Sequence, residues 1–185
     1  DQVEIVALSR NDKPVEFDHY KNLQWHKCDL LSDNIDISLF PKIETVIHLA
    51  GATLGANIDE TKFLEKNEQA AIKVLQVFAP YVRRVIYASS QVVYGDARNL
   101  SVDEEFPLKP YTSAYACSKS NCETWIRWFQ KEYGGTYISL RFCGFIDGGG
   151  IVDYIIDSAL ANLPIQLFAN GSIRRDYIYS SVGID

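Results

Sequence analysis

Short apolar runs rich in β-branched residues alternate along this chain with longer segments of helical period. This alternation is typical of repeated βα units, which build a parallel sheet that helices cover on both faces. The pattern therefore predicts an α/β fold with a doubly wound parallel sheet. The predicted strands are Val3–Leu8, Val46–Ala50, Val85–Ser89, Tyr137–Phe142 and Ile165–Phe168.

Three helices are predicted between these strands. Apolar residues recur at spacings of three and four over Phe63–Phe78, and Pro80 ends that helix. The second helix is expected over Ser113–Tyr133, where Gly134 stops it. The third helix is expected over Ile151–Ala161.

The composition excludes several classes of protein. With 185 residues, of which 47% are hydrophobic, the chain is too apolar for a disordered segment and long enough to bury a core. Its apolar runs are far shorter than the roughly 20 residues that span a bilayer, so no membrane association is expected. The net charge of -6 argues against nucleic acid as a partner.

Cysteine and histidine usage bears on location and metals. The irregular spacing of Cys28, Cys117, Cys122 and Cys143, without an apolar leader, predicts a cytoplasmic protein with reduced thiols. His48 has no second ligand at metal-binding spacing, so a buried side chain with its hydrogen bonds satisfied is expected there, and no metal. Methionine is absent, which suggests that residues are missing from this sequence.

A tyrosine and a lysine four residues apart form the first candidate for chemistry. On the helix predicted over Ser113–Tyr133, Tyr115 and Lys119 lie on one face. A nearby ammonium favours the phenolate of a tyrosine, which brings its pKa closer to neutrality for use as an acid or base. This spacing often arises by chance, so a structural role for the pair stays open.

Two serines at the end of a predicted strand form the second candidate. Ser89 and Ser90 follow the apolar run that begins at Val85. In a parallel α/β sheet, ligands bind beyond the carboxyl ends of the strands, so both hydroxyls would face the binding crevice. The alternative is that these serines only cap a turn.

Six segments carry a resemblance to a known family. They are His48–Gly51, Asn67, Ser89–Gly95, Tyr115 with Lys119, Leu140–Phe142 and Gly171–Tyr179. In this order they resemble the NAD-dependent epimerase/dehydratase family of the extended short-chain dehydrogenase/reductase superfamily, which acts on nucleotide sugars. The resemblance covers nearly the whole chain and implies a Rossmann-like fold.

The resemblance implies roles for three catalytic residues. Tyr115 is similar to the family's proton-transferring tyrosine. Lys119 is similar to the lysine that lowers the pKa of this tyrosine and holds the nicotinamide ribose. Ser90 resembles the serine that hydrogen-bonds the reacting oxygen.

The resemblance also implies binding contacts. The implied cofactor contacts are Ser9, Arg10, Asp29, Leu30, Leu49, Ala50, Gly51, Asn67, Ala88, Ser89, Tyr115, Lys119, Phe142 and Cys143. The implied substrate contacts are Ser90, Gln91, Gly144 and Arg175. Simpler accounts stay open for three residues, since Asp29 is common in turns, Asn67 can bond to backbone and Arg175 can be solvated.

Three departures from the family pattern bear on cofactor and reaction. Where an acidic residue typically receives the ribose hydroxyls of NAD, the chain has Ser9-Arg10, which slightly favours NADP. Asp12 restores an NAD site if the register shifts. Gly144 replaces the family's asparagine, and the carboxylate pair of the sugar dehydratases is absent beside Ser90, so sugar 4,6-dehydration is disfavoured.

The glycine-rich loop that binds the pyrophosphate in this fold does not precede Val3. We therefore expect that the first strand, this loop and the first helix are absent from this sequence, together with most of the C-terminal substrate domain. Residues 1–145 are assigned to an NAD(P)-binding Rossmann-like domain. Residues 146–185 are assigned to the start of a substrate-binding region.

These features predict an NAD(P)-dependent nucleotide-sugar epimerase that transiently oxidises a sugar hydroxyl to a ketone. An NADP-dependent reductase or dehydrogenase of a sugar nucleotide or related carbonyl is the first alternative. The second alternative is a dinucleotide-binding sensor without turnover. The expected partner is a small-molecule substrate, and a homodimer with the Trp125–Trp128 region at its interface stays open.

Overall fold

The structure is a computed structural model, and it describes residues 3–40, 42–53, 59–97, 100–147, 149–172 and 176–184. The strands in these ranges are β1 (Ile5–Ser9), β2 (Leu23–Lys27), β3 (Thr45–His48), β4 (Arg84–Ser90), β5 (Thr136–Phe142), β6 (Gly144–Phe145) and β7 (Tyr177–Ile178). The helices are α1 (Thr61–Phe63), α2 (Gln69–Phe78), α3 (Ala114–Tyr133), α4 (Ile151–Leu160) and α5 (Ser180–Ile184).

Every strand pair in the described part of the chain is parallel. β1 pairs with β2, the central sheet has the order β3-β4-β5, and β6 pairs with β7. Parallel neighbours need crossover connections, and α1–α2 and α3 supply them between the three central strands. The strands therefore end at one edge of the central sheet, where Ser90 of β4 pairs with Phe142 of β5. This is the predicted Rossmann-like α/β fold.

Four of the five predicted strands are confirmed, as β1, β3, β4 and β5, with small shifts at their ends. The fifth, Ile165–Phe168, is wrong, because residues 163–167 have no regular structure and Phe168–Gly171 form a 3-10 turn. Leu167 is 66% exposed, so its apolar character does not reflect a buried strand. β2 is not predicted from the sequence, because Leu-Gln-Trp-His-Lys has no β-branched residue.

All three predicted helices are confirmed. α3 begins after Ser113, whose hydroxyl accepts a hydrogen bond from Ala116 N at 3.1 Å, and it ends at Gly134, where φ is +74°. The helix predicted over Phe63–Phe78 contains a π-helical turn, Leu64–Glu68, that joins α1 to α2. Across the described ranges, we find no helix with the length and apolarity needed to cross a membrane.

α2 and α3 cover one face of the central sheet. Val85 and Tyr87 of β4 lie in this core and are 2% and 1% exposed. They share a hydrophobic cluster with Ala71, Val74, Leu75, Phe78, Cys122, Ile126 and Phe129. On the opposite face Ile47 and Ile138 lie in one row with Ile86, yet they are 60% and 41% exposed. Within the described residues, the expectation of helices covering both faces is therefore met on one face.

Candidate active site

The carboxyl end of β4 presents two serines. Ser89 is 5% exposed and its Oγ donates to the buried Glu123 of α3, so the prediction that its hydroxyl faces the crevice is wrong. Ser90 is half-buried and lies in extended backbone. Ser90 caps the 3-10 turn Gln91–Tyr94, because its Oγ accepts a hydrogen bond from Val92 N at 3.4 Å. The turn-capping alternative is thus confirmed for Ser90. It is compatible with chemistry, because a hydroxyl that accepts one hydrogen bond still has a proton to donate.

Tyr115 and Lys119 of α3 lie beside the end of β4. The Tyr115 ring is half-buried and packs edge to face against Phe63, with ring centres 5.5 Å apart. The Ser90 hydroxyl lies close enough to this phenol to influence its pKa. Lys119 Nζ donates to Ala88 O of β4 at 2.7 Å and lies 5.7 Å from the centre of the Tyr115 ring. The structure thus brings Ser90, Tyr115 and Lys119 together.

Burial dominates the proton affinities of these groups. It raises the pKa of Tyr115, and the nearby Ser90 hydroxyl acts in the opposite direction. Burial also lowers the pKa of Lys119. The expectation that Lys119 lowers the pKa of Tyr115 is not met in the structure, because the ammonium is hydrogen-bonded to the Ala88 carbonyl and lies beside the ring.

The π-helical turn brings Asn67 to the same site. Asn67 is 2% exposed, accepts from Ala52 N at 2.6 Å, and donates to Ala52 O at 3.2 Å and to Ser118 Oγ at 3.0 Å. The alternative that Asn67 bonds to backbone is therefore confirmed. A Cβ at Gly51 would lie 2.8 Å from Asn67 Oδ1 and 3.9 Å from Lys119 Nζ. Asn67 thus fixes the loop after β3 beside Lys119.

This loop after β3 is exposed at the sheet edge. Leu49 is 68% exposed, and Ala50 and Gly51 are exposed as well. His48, the last residue of β3, is 6% exposed, and its ring stacks on Tyr87 with centres 5.6 Å apart. The predicted burial of His48 is therefore confirmed, but its predicted hydrogen bonding is wrong for Nε2, which has no partner among the described residues.

The buried His48 makes the free energy of unfolding depend on pH. Burial and the Lys119 ammonium lower the pKa of His48 from 6.5 to about 4. The unfolded chain therefore binds a proton between pH 6.5 and 4 that the folded chain does not bind, and stability falls as the pH falls. At about 1.4 kcal/mol per pKa unit, we expect a loss of about 2 kcal/mol between pH 7.5 and 5.

Urea unfolding of wild type and His48→Phe at these two pH values measures this effect. Phe keeps an aromatic ring for the contact with Tyr87 but has no titratable nitrogen. The variant should therefore lose about 2 kcal/mol less stability than wild type on acidification. Equal losses in the two proteins would contradict this account.

The residues after β1 form a polar turn. Ser9 is half-buried and its Oγ accepts from Asn11 N at 3.1 Å, while Arg10 is exposed. The Asp12 carboxylate pairs with Lys27 Nζ at 3.0 Å. Ser9 and Arg10 thus place a hydroxyl and a guanidinium at consecutive positions at the carboxyl end of β1.

The two predicted cofactor contacts after β2 serve the local structure. Asp29 Oδ1 accepts from Leu31 N at 2.9 Å, and Asp29 N donates to Asp33 Oδ2 at 2.8 Å. The turn alternative for Asp29 is therefore confirmed. The Leu30 side chain belongs to the hydrophobic core, which leaves its backbone for any cofactor contact.

The ring of Tyr177 limits the space beside Gly144, which follows β5. Phe142 ends β5, and Cys143 is a half-buried free thiol. Because β6 pairs with β7, a Cβ at Gly144 would lie 2.5 Å from the ring of Tyr177. A larger residue would not fit at this position, and the predicted substrate contact at Gly144 can only come from its backbone. Arg175, another predicted substrate contact, lies outside the described residues.

A buried ion pair between Glu123 and Arg141 lies beside this site and was not predicted from the sequence. Glu123 of α3 is 2% exposed and binds Arg141 of β5, with Nη2 to Oε2 at 2.9 Å and Nε to Oε1 at 3.0 Å. Ser89 Oγ donates to Glu123 Oε1 at 2.6 Å, and Arg141 Nη1 donates to the Tyr94 hydroxyl at 2.8 Å. The sequence signal is weak: an acidic residue four positions after Lys119, on the same helix face.

The parallel sheet with polar residues at its carboxyl edge is a Rossmann-like α/β fold. The family model described as "NAD dependent epimerase/dehydratase family" matches residues 1–181. The chain therefore belongs to the NAD-dependent epimerase/dehydratase family.

Similar proteins include curated relatives and solved structures. The chain is 29% identical to a putative UDP-glucose 4-epimerase of Methanocaldococcus jannaschii, over 82% of this chain and 53% of the relative. It is 30% identical to a dTDP-4-dehydro-6-deoxyglucose reductase of Escherichia coli, over 97% of this chain and 62% of the relative. The chain thus spans little more than half the length of these relatives.

A solved structure of similar fold is a UDP-glucuronic acid 4-epimerase from Bacillus cereus in complex with UDP-glucuronic acid and NAD. It has a TM-score of 0.81 and 20% identity, and the match covers 97% of this chain and 62% of that chain. At this identity the likeness shows the fold.

Proposed function

We propose that this chain carries the active site of an NAD(P)-dependent nucleotide-sugar epimerase, which oxidises a sugar hydroxyl to a ketone and then reduces it again. One observation carries the proposal: the neighbouring hydroxyls of Ser90 and Tyr115 lie at the carboxyl edge of the sheet, with Lys119 on the same helix face as Tyr115. Relatives named as UDP-glucose 4-epimerases support the choice of a nucleotide sugar.

The residues at this edge fit a dinucleotide. Gly51 has no room for a Cβ beside Asn67, and the exposed segment Leu49–Gly51 offers its backbone to a ligand. Lys119 uses one ammonium proton for Ala88 O, which leaves two for ribose hydroxyls. The remaining proposed cofactor contacts are Ser9, Arg10, Asp29, Leu30, Ser89, Phe142 and Cys143. The proposed substrate contacts are Ser90, Gln91, Gly144 and Arg175.

The proposed reaction needs a proton acceptor, a hydrogen-bond donor and a hydride acceptor. A bound nicotinamide would supply the hydride acceptor. Tyr115, as phenolate, would take the proton of the sugar hydroxyl, while Ser90 donates a hydrogen bond to the oxygen of the ketone. Lys119 would bind the ribose through the two ammonium protons that Ala88 O leaves free.

A second candidate function is an NADP-dependent reductase or dehydrogenase. The Ser9 hydroxyl and the exposed Arg10 guanidinium suit a 2'-phosphate, so we propose a slight preference for NADP over NAD. The Asp12 carboxylate, which would favour NAD, pairs with Lys27 at 3.0 Å. The E. coli relative named as a reductase supports this candidate.

A panel of UDP- and dTDP-hexoses, each with NAD or NADP, distinguishes these functions. We expect an epimerised sugar by NMR with no net change in the absorbance of the reduced nicotinamide. A stoichiometric absorbance change would indicate the reductase instead. Calorimetric binding of a dinucleotide without turnover of any sugar would indicate a sensor and would contradict both enzymatic proposals.

Three further parts of the proposal concern organisation. Residues 1–145 would form the NAD(P)-binding domain and residues 146–185 the start of a substrate-binding region, and the pairing of β6 with β7 would connect the two. A homodimer would bury an apolar groove lined by Ile72, Gln76, Trp125, Trp128, Phe129 and Tyr133.

A cytoplasmic location is supported by the four cysteines, which are all free thiols.

A further inference from the structure

The Glu123–Arg141 ion pair links the three elements that surround the proposed active site. Glu123 lies on α3, the helix that carries Tyr115. Arg141 lies on β5 and is directly paired with Ser89 of β4. The guanidinium binds the carboxylate through two nitrogens, at 2.9 Å and 3.0 Å, so it fixes the orientation of α3 against the sheet as well as the distance.

The same ion pair anchors the Ser90 segment from both sides. On one side, the Ser89 hydroxyl donates to Glu123 Oε1 at 2.6 Å. On the other side, Arg141 Nη1 donates at 2.8 Å to the hydroxyl of Tyr94, the last residue of the turn that Ser90 caps. The guanidinium carbon also lies 4.9 Å from the centre of the Tyr94 ring.

Burial makes these contacts strong and well ordered. The side chains of Arg141 and Glu123 are 15% and 2% exposed, so solvent screens their attraction little. Tyr94 is 8% exposed. The segment from Ser89 to Tyr94 is therefore tied at both ends to one buried charge pair, and Ser90 lies between the two ties.

We propose that Glu123, Arg141 and Tyr94 are positioning residues that hold the Ser90 hydroxyl against the Tyr115 phenol. The inference rests on the proposed function, because it concerns the same two hydroxyls. It assigns to the ion pair a role beyond stability: the carboxylate and the guanidinium set where β4 ends relative to α3.

Tyr94→Phe tests this role without leaving a buried charge unpaired. Arg141 Nη1 keeps its second acceptor, Glu104 O, at 2.8 Å. We expect kcat to fall about tenfold, while the KM for the sugar nucleotide and the Kd for the dinucleotide stay within about twofold. The matched control is Tyr137→Phe on β5, which removes a buried hydroxyl with no hydrogen-bond partner in the described part of the chain and should leave all three constants unchanged.

A double-mutant cycle with Ser90→Ala separates positioning from a general loss of stability. If Tyr94 acts through Ser90, then Tyr94→Phe should lower kcat by less than about twofold in the Ser90→Ala background. A full tenfold loss in that background would show that the two residues act independently, and it would overturn the inference.

Hydrogen exchange separates this inference from the proposed function, because it needs no turnover. Tyr94→Phe should increase amide exchange in residues 90–95 by about threefold or more and leave exchange in β2 unchanged. If wild type turns over no sugar nucleotide but exchange responds in this way, the proposed function fails and the anchoring of Ser90 stands. Unchanged exchange in residues 90–95 would overturn the inference whether or not the protein is active.

Discussion

Replacing Tyr115 by Phe should reduce turnover of a sugar nucleotide by about 10³-fold, because the proposed proton acceptor is lost. The variant keeps the ring and its edge-to-face contact with Phe63, so the fold and the position of α3 should be retained. Lys119 also keeps its hydrogen bond to Ala88 O at 2.7 Å. We therefore expect the affinity for the dinucleotide to stay within about twofold of wild type.

Steady-state kinetics and calorimetric titration with the dinucleotide measure the two effects separately. Tyr111→Phe is a matched control, since Tyr111 is 78% exposed in the 3-10 turn Pro110–Thr112 that precedes α3. It should keep wild-type turnover. Wild-type turnover in Tyr115→Phe would contradict the proposed mechanism. Loss of turnover together with loss of dinucleotide binding would indicate a structural role for the tyrosine instead.

The fold was predictable where a strand contains a run rich in β-branched residues. Val85 and Val46 lie in such runs, and β3, β4 and β5 are confirmed. β2 was not predicted, because its sequence Leu-Gln-Trp-His-Lys has weak β-propensity and its stability comes from pairing with β1. The segment Ile165–Phe168 failed for the opposite reason, since local composition favours a strand but Leu167 is exposed.

In the candidate site, too, some features were predictable from the sequence and others were not. The spacing of four placed Tyr115 and Lys119 on one helix face, and the end of a strand placed Ser90 at the sheet edge. Their catalytic roles were implied only by the resemblance to the family. Contacts between elements were not predictable from the sequence. Arg141 meets Glu123 because β5 lies beside β4 under α3, and Gly144 lies against the ring of Tyr177 because β6 pairs with β7.

Replacing Arg141 by Leu should destabilise the fold by about 3–5 kcal/mol, the range typical of removing one partner of a buried ion pair. Glu123 is 2% exposed and would keep one hydroxyl donor, Ser89, at 2.6 Å. One neutral donor does not offset the burial of a carboxylate. Urea unfolding at pH 7.5 measures the loss. The control Lys27→Gln breaks an exposed ion pair with Asp12, at 3.0 Å, and should change stability by less than about 1 kcal/mol.

The double variant Glu123→Leu with Arg141→Leu separates the effect of an unpaired charge from the effect of the pair itself. Apolar replacement of a whole buried ion pair is often neutral, so the double variant should recover most of the stability lost in Arg141→Leu. Turnover should stay low, because Ser89 and Tyr94 both lose the partner that holds them. Recovery of stability and turnover together would show that the pair serves stability alone. Wild-type stability in Arg141→Leu would show that Glu123 is not a buried carboxylate that depends on this arginine.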